Sequence, residues 1–145
     1  MILLDTNVVS ELMRPVPAPA VQRWLDKQDA ASLATTTITV AELGAGLALL
    51  PAGAKQQDLR ARAASLISQG FGDRIFGFDL DAASAYGGLL AQRRRMGRAP
   101  SGFDMLIAAI AHARGMAVAT RNVADFEGCG LLLINPWQDM PQAPA

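Results

Sequence analysis

Short continuous apolar runs alternate along the chain with longer stretches in which apolar residues recur every three or four positions. The short runs are Ile2–Leu4, Leu33–Thr36, Ile75–Phe78, Ala117–Thr120 and Leu131–Ile134. Each is too brief for a helix and apolar enough to be covered on both faces, the pattern of strands in a parallel sheet. Between them the period lengthens toward that of a helix. A short helix is predicted after Asp5, ending before Pro15-Val16-Pro17-Ala18-Pro19, where three prolines remove backbone donors. Further helices are predicted over Ala20–Gln28, Thr39–Leu50, Lys55–Gln69, Leu80–Met96 and Phe103–Arg114. The last four are stopped by Pro51 with Gly53, by Gly70, by Gly97 and by Gly115. Strands alternating with helices give an α/β fold with a mostly parallel sheet. No internal repeat or low-complexity linker interrupts the pattern, so 1–140 reads as one domain and 141–145 as a short Pro/Ala tail.

Four acidic residues fall at one edge of that sheet. Asp5 ends the first strand, Glu42 lies one turn into the helix after the second, Asp104 opens the last long helix, and Asp125 follows the fourth strand. In open parallel sheets the functional crevice lies at the carboxyl ends of the strands. Each residue alone also has a purely structural reading. Asp5 offers an N-cap, Thr39-Val40-Ala41-Glu42 matches a capping box, Asp104 complements a helix dipole, and Asp125 caps a loop. Four carboxylates in one partly dry cleft repel one another by several kcal/mol unless cations neutralise them, so their convergence implies a metal ion. An oxygen-only donor set points to Mg²⁺ or Mn²⁺.

Composition narrows the alternatives. With 51% hydrophobic and 18% charged residues the chain is built to fold, and no apolar run approaches the length of a membrane span. Met1-Ile2-Leu3-Leu4-Asp5 reaches a carboxylate with no basic segment before it, which reads as a cytoplasmic protein without a signal peptide. One cysteine, Cys129, excludes an internal disulfide, and one histidine, His112, excludes a His-pair metal motif. The 13 basic and 13 acidic residues cancel, which by itself argues against a nucleic-acid partner. Setting the four clustered carboxylates aside leaves 13 basic against 9 acidic residues, and 11 of the basic ones are arginine. The densest basic segment is Gln92-Arg93-Arg94-Arg95-Met96-Gly97-Arg98, immediately before the turn that delivers Asp104. It reads either as the solvated last turn of a helix or as a rim that steers phosphate. Arg121, four residues before Asp125, is placed to contact substrate phosphate or to pair with a carboxylate.

These motifs together resemble the PIN-domain ribonucleases, specifically VapC-type toxins of the FitB-like group. The resemblance rests on Ile2-Leu3-Leu4-Asp5-Thr6-Asn7, Thr39-Val40-Ala41-Glu42-Leu43, Phe103-Asp104-Met105-Leu106-Ile107-Ala108-Ala109 and Thr120-Arg121-Asn122-Val123-Ala124-Asp125-Phe126, with Leu133-Ile134-Asn135-Pro136-Trp137 at the end. Any one motif is weak; four in this order cover nearly the whole chain. The resemblance implies a three-layer α/β/α domain around a mostly parallel sheet of four or five strands. It implies that Asp5, Glu42, Asp104 and Asp125 bind Mg²⁺ or Mn²⁺, supported by Thr6, Thr120 and Asn122. Arg93, Arg94, Arg95, Arg98 and Arg121 are then the candidate RNA contacts.

The implied activity is metal-dependent endonucleolytic hydrolysis of RNA, transfer RNA among the candidate substrates, by the toxin of a toxin–antitoxin pair. The implied partner is a VapB-like antitoxin whose segment crosses a helix-lined groove and inserts a basic side chain into the acidic site. The assembly is then a homodimer or a toxin–antitoxin hetero-oligomer, with no membrane partner. Two other readings stand beside this one. A catalytically silent PIN-like module would bind RNA or protein without cutting, although an acidic pocket repels phosphates. Leu4-Asp5-Thr6-Asn7 also resembles the nucleophile strand of haloacid-dehalogenase-like phosphatases. Those need a second aspartate where this chain has Asn7, and Lys27 and Lys55 lie in the wrong places for the remaining lysine.

Overall fold

The computed structural model of the chain describes residues 1–99, 101–138 and 140–142. Residues 143–145 of the predicted tail lie outside the described residues. Strand β1 (Ile2–Leu4) leads into helix α1 (Thr6–Leu12), and α2 (Pro19–Asp26) starts with a proline at its first position, where the missing N–H costs nothing. Then follow β2 (Leu33–Thr36), α3 (Thr37–Ala48), α4 (Ala54–Ser65) and β3 (Ile75–Phe76). The second half holds α5 (Leu80–Arg95), α6 (Gly102–Arg114), β4 (Ala117–Ala119), β5 (Leu133–Asn135) and β6 (Met140–Gln142).

The strands form one sheet in the order β3-β2-β1-β4-β5-β6. The first five are parallel, as the apolar runs predict, and β6 pairs antiparallel with β5. Chain order runs outward from β1 on one side to β2 and β3 and on the other to β4 and β5. The switch point therefore lies between the carboxyl ends of β1 and β4, and the Asp5 N–H spans it to the Ala119 carbonyl at 3.1 Å.

Alternation along β1 sends neighbouring leucines to opposite layers. Leu3 joins a core with Leu89 of α5 and Met105, Ile107 and Ile110 of α6. Leu4 joins a second core with Val8 and Val9 of α1, Trp24 of α2 and Phe71. Helices thus cover both faces, giving the expected α/β/α sandwich. Burying a side chain such as Leu3 or Leu4 completely stabilises the fold by about 2 kcal/mol, which is why β1 sits mid-sheet.

Several boundaries differ from those predicted. Helix α3 begins at Thr37 because Thr36, the last residue of β2, accepts the Thr39 N–H at 3.1 Å and caps the helix. The predicted helix over Lys55–Gln69 is α-helical only to Ser65 and widens into a π turn at Leu66–Phe71. Strand β3 stops at Phe76 because the Asp79 N–H turns back to the Gly77 carbonyl and Asp79 caps α5. Strand β5 starts two residues later than predicted, since Leu131 is buried without joining the ladder as a strand residue. Helix α6 ends where expected, with Gly115 in the left-handed conformation at φ 64°.

Candidate active site

Asp5 follows β1 and caps α1. Its Oδ1 accepts the Val8 N–H at 3.1 Å and its carboxylate also accepts the Thr120 hydroxyl. The side chain is buried, the residue only 3% exposed. Burial, with the nearby Asp104 charge adding to it, pushes its pKa up to about 6 against the pull of those hydrogen bonds. Asp104 occupies the first turn of α6. Ser101, just before that helix, does not cap it but hydrogen-bonds the Asp104 carboxyl instead. Burial raises the Asp104 pKa too, helped by the charges of Asp125 and Glu42, while Ser101 and Arg93 act the other way. Asp125 closes a short 3-10 turn, Val123–Asp125, after β4. Four carboxylates from four segments are thus electrostatically coupled at the carboxyl edge of the sheet.

Glu42 does not reach back to its own helix start, so the capping-box reading is replaced. Its Oε1 accepts from the Thr6 hydroxyl at 2.7 Å. Thr6 Oγ1 lies 3.2 Å from Thr39 Oγ1, which lies 3.4 Å from Thr36 Oγ1. Since a hydroxyl has one proton and Thr6 gives its own to the carboxylate, Thr39 donates to Thr6 and Thr36 donates to Thr39. Thr36 in turn accepts the Thr39 N–H. The result is a one-way chain, Thr36 to Thr39 to Thr6 to Glu42, with Thr36 and Thr39 fully buried. Thr36 and Thr39 were not among the predicted supports; the run Thr35-Thr36-Thr37 at a strand end was the available signal. Thr120 is also fully buried, accepts the Asn122 N–H at 3.0 Å and donates to Asp5, whereas Asn122 itself is exposed.

The basic candidates separate. Arg93 is 2% exposed and spends its guanidinium on main-chain carbonyls, so it is withdrawn from the set of RNA contacts. Arg98 pairs with Glu127 at 2.7 Å. Arg94 and Arg95 are exposed. Arg121 is exposed, forms no salt bridge with a carboxylate among the described residues, and lies over the Trp137 ring, 5.0 Å from its centroid. His112 is exposed on α6 and lines a hollow with Met1 at the opposite end of the sheet, and Cys129 is packed in the core.

Beside Glu42 a groove of about 520 Å³ runs between α1, α3 and α4, lined by Thr6 and Ser10, by Leu43 and Leu47, and by Leu59. Among the described residues no helix is long and apolar enough to cross a membrane.

Residues 2–127 match the PIN domain family. The chain belongs to this family. As a PIN domain it is 47% identical over 138 residues to the plasmid stability protein StbB of Pseudomonas syringae pv. tomato, covering 95% of this chain and 99% of that one. It is 44% identical over 138 residues to the VapC ribonuclease Y4jK of Sinorhizobium fredii, with the same coverage. Among solved structures this PIN domain is similar to FitAcB from Neisseria gonorrhoeae, with a TM-score of 0.87, 39% identity, and 94% and 99% of the two chains covered.

Proposed function

We propose that this PIN domain is the ribonuclease toxin of a toxin–antitoxin pair, acting in the cytoplasm on RNA with Mg²⁺ or Mn²⁺ held by Asp5, Glu42, Asp104 and Asp125. The observation that carries the reading is the convergence of these four carboxylates: Asp5 is buried and within reach of the Asp104 charge, and Asp104 is within reach of both Asp125 and Glu42. Such a cluster costs folding free energy and gains a purpose only when a cation enters it.

Among the described residues no three His, Cys, Asp or Glu side chains form a ready-made metal cage. The four carboxylates would therefore hold the ion partly through its own bound waters, which Mg²⁺ retains because it dehydrates reluctantly. The donors nearby are all oxygen, which agrees with a hard ion.

Once bound, the ion supplies a water of lowered pKa and offsets charge on the scissile phosphoryl group. The chain's own residues provide position. Thr120 and the Val8 N–H fix Asp5, the threonine chain fixes Glu42, and Ser101 fixes Asp104. No side-chain nucleophile is needed: water adds at phosphorus, the bond to the 3′ oxygen breaks, and the products carry a 5′-phosphate and a 3′-hydroxyl. Exposed Arg94, Arg95 and Arg121 steer the RNA backbone. The groove beside Glu42 is the seat for the antitoxin segment, with its basic side chain directed at the carboxylates.

Asp5→Asn and Asp104→Asn test the reading. Each is expected to abolish Mg²⁺- or Mn²⁺-dependent RNA cleavage while circular dichroism and cooperative unfolding show an intact fold. Undiminished cleavage by either variant overturns the assignment.

A further inference from the structure

The basic run at the end of α5 is divided by the fold into residues that face solvent and residues that grip a neighbouring loop. Arg93 Nη1 donates to the carbonyls of Ala124 at 2.9 Å and Glu127 at 2.7 Å, and Nη2 donates to Ala99 at 3.2 Å. Ala124 and Glu127 flank Asp125. Ala99 lies two residues before Ser101, which hydrogen-bonds Asp104. One guanidinium therefore ties together the two segments that carry Asp104 and Asp125. The grip is reinforced on both sides. Met96 and the Arg93 stem pack on Gly128, where a side chain would collide with the Met96 sulfur, and Arg98 pairs with Glu127.

This is a costly way to hold a loop. Among the described residues the Arg93 Nε is buried with no hydrogen-bond partner, and the guanidinium sits among neutral carbonyls with no salt-bridge partner, so its desolvation is poorly compensated. A leucine or methionine would pack the same seam without that penalty. What an apolar residue cannot supply is a set of hydrogen bonds that reaches the Ala124, Glu127 and Ala99 carbonyls at once.

We propose that Arg93 is a positioning residue for the metal site: through its three main-chain hydrogen bonds it sets the spacing of the segments that lead to Asp104 and carry Asp125. The proposal rests on the nuclease reading above. Arginine suits the task because its planar fork reaches three carbonyls at once, whereas lysine offers a point charge on a flexible stem.

The test compares the full chain with Arg93→Met, Arg93→Lys and, as a control for lost stability, Val21→Ala, a fully buried site in α2 on the other face of the sheet. Three quantities are read: Mn²⁺ affinity by calorimetry without RNA, amide hydrogen exchange over residues 122–129, and cleavage as a function of Mn²⁺. In Arg93→Met, Mn²⁺ affinity is expected to fall about tenfold or more, exchange over 122–129 to accelerate while β1 stays protected, and cleavage to recover partly at high Mn²⁺. Arg93→Lys falls between Arg93→Met and wild type, and Val21→Ala leaves Mn²⁺ affinity unchanged. Equal Mn²⁺ affinity in wild type, Arg93→Met and Arg93→Lys overturns the positioning role. A wild-type chain that neither binds Mn²⁺ nor cleaves RNA overturns the nuclease reading itself, an outcome told apart by the wild-type titration alone.

Discussion

The Asp5 carboxylate is drawn two ways: the Val8 N–H and Thr120 hydroxyl favour its charge, while burial and the Asp104 carboxylate oppose it. Opposition wins, and the pKa rises from 3.8 to about 6. A carboxyl whose folded pKa exceeds its unfolded one stabilises the fold in acid and loses that contribution as pH rises through the folded pKa. The metal-free chain should therefore gain up to about 3 kcal/mol between pH 7 and pH 4 from this group. Asp79, whose pKa is lowered first by the Ala82 N–H, works in the other direction, but only as pH falls below the ordinary carboxylate range. Asp5→Asn should raise the metal-free unfolding midpoint at pH 7 and flatten its dependence between pH 7 and pH 5, as thermal scans at several pH values will read; a midpoint lowered at pH 7 contradicts the strain assigned to Asp5. The hydroxyl chain makes a second claim at this scale. Thr39→Val keeps the volume but cuts the relay to Glu42, so Mn²⁺ affinity or cleavage should fall about 10- to 100-fold with little loss of fold. Unaltered activity would detach the threonines from the site. The convergence of Asp5, Glu42, Asp104 and Asp125 was legible because three of them follow strand ends and Asp104 opens a helix, positions that an open parallel sheet brings to one edge. The threonine chain was not, because a short hydroxyl reads the same whether it caps a helix, satisfies a strand or orients a ligand. Thr36 both caps α3 and feeds the chain.

Elements were legible where burial alone decides them. The five apolar runs became the five parallel strands, because a strand covered on both faces has nothing but its hydrophobicity to declare. Ends were less legible, since capping depends on which of several adjacent hydroxyls turns inward: α3 starts at Thr37 rather than Thr39 for that reason. Strand β6 was hidden by Pro141, which cannot donate to a ladder and is tolerated only because the strand lies at the sheet edge. The last misreading is physical as well. Four arginines within six residues look like a solvated or RNA-facing rim, yet the helical turn sends Arg93 inward and leaves Arg94 and Arg95 outward. The loop it grips depends on Gly128, at φ 84°. Gly128→Ala should lower stability by about 1–2 kcal/mol through backbone strain alone, more if Met96 cannot move aside, and denaturant unfolding of the variant reads the loss. A neutral substitution there would show that the turn holding Asp125 is not under the constraint described.

At the scale of the whole molecule, zero net charge conceals a division of labour: acid gathered at one edge of the sheet, arginine spread over the exterior. Binding to single-stranded RNA should then depend on local arginines, and salt dependence measures how many are engaged. If Arg94, Arg95 and Arg121 each meet a phosphate, replacing all three with Ala should reduce the slope of log K against log salt by about 2. A slope unchanged in the triple variant would place the RNA on another face. The central claim is that coupled carboxylates make this PIN domain a metal-dependent ribonuclease. The decisive measurement expresses the chain alone, with Asp104→Asn as control, sequences the 5′-phosphate ends of cellular RNA, and repeats the cleavage on purified RNA with and without EDTA. A discrete set of 5′-phosphate ends is expected, present only with the intact site and lost on chelation. Ends that persist in EDTA or in Asp104→Asn, or no new ends at all, would contradict it.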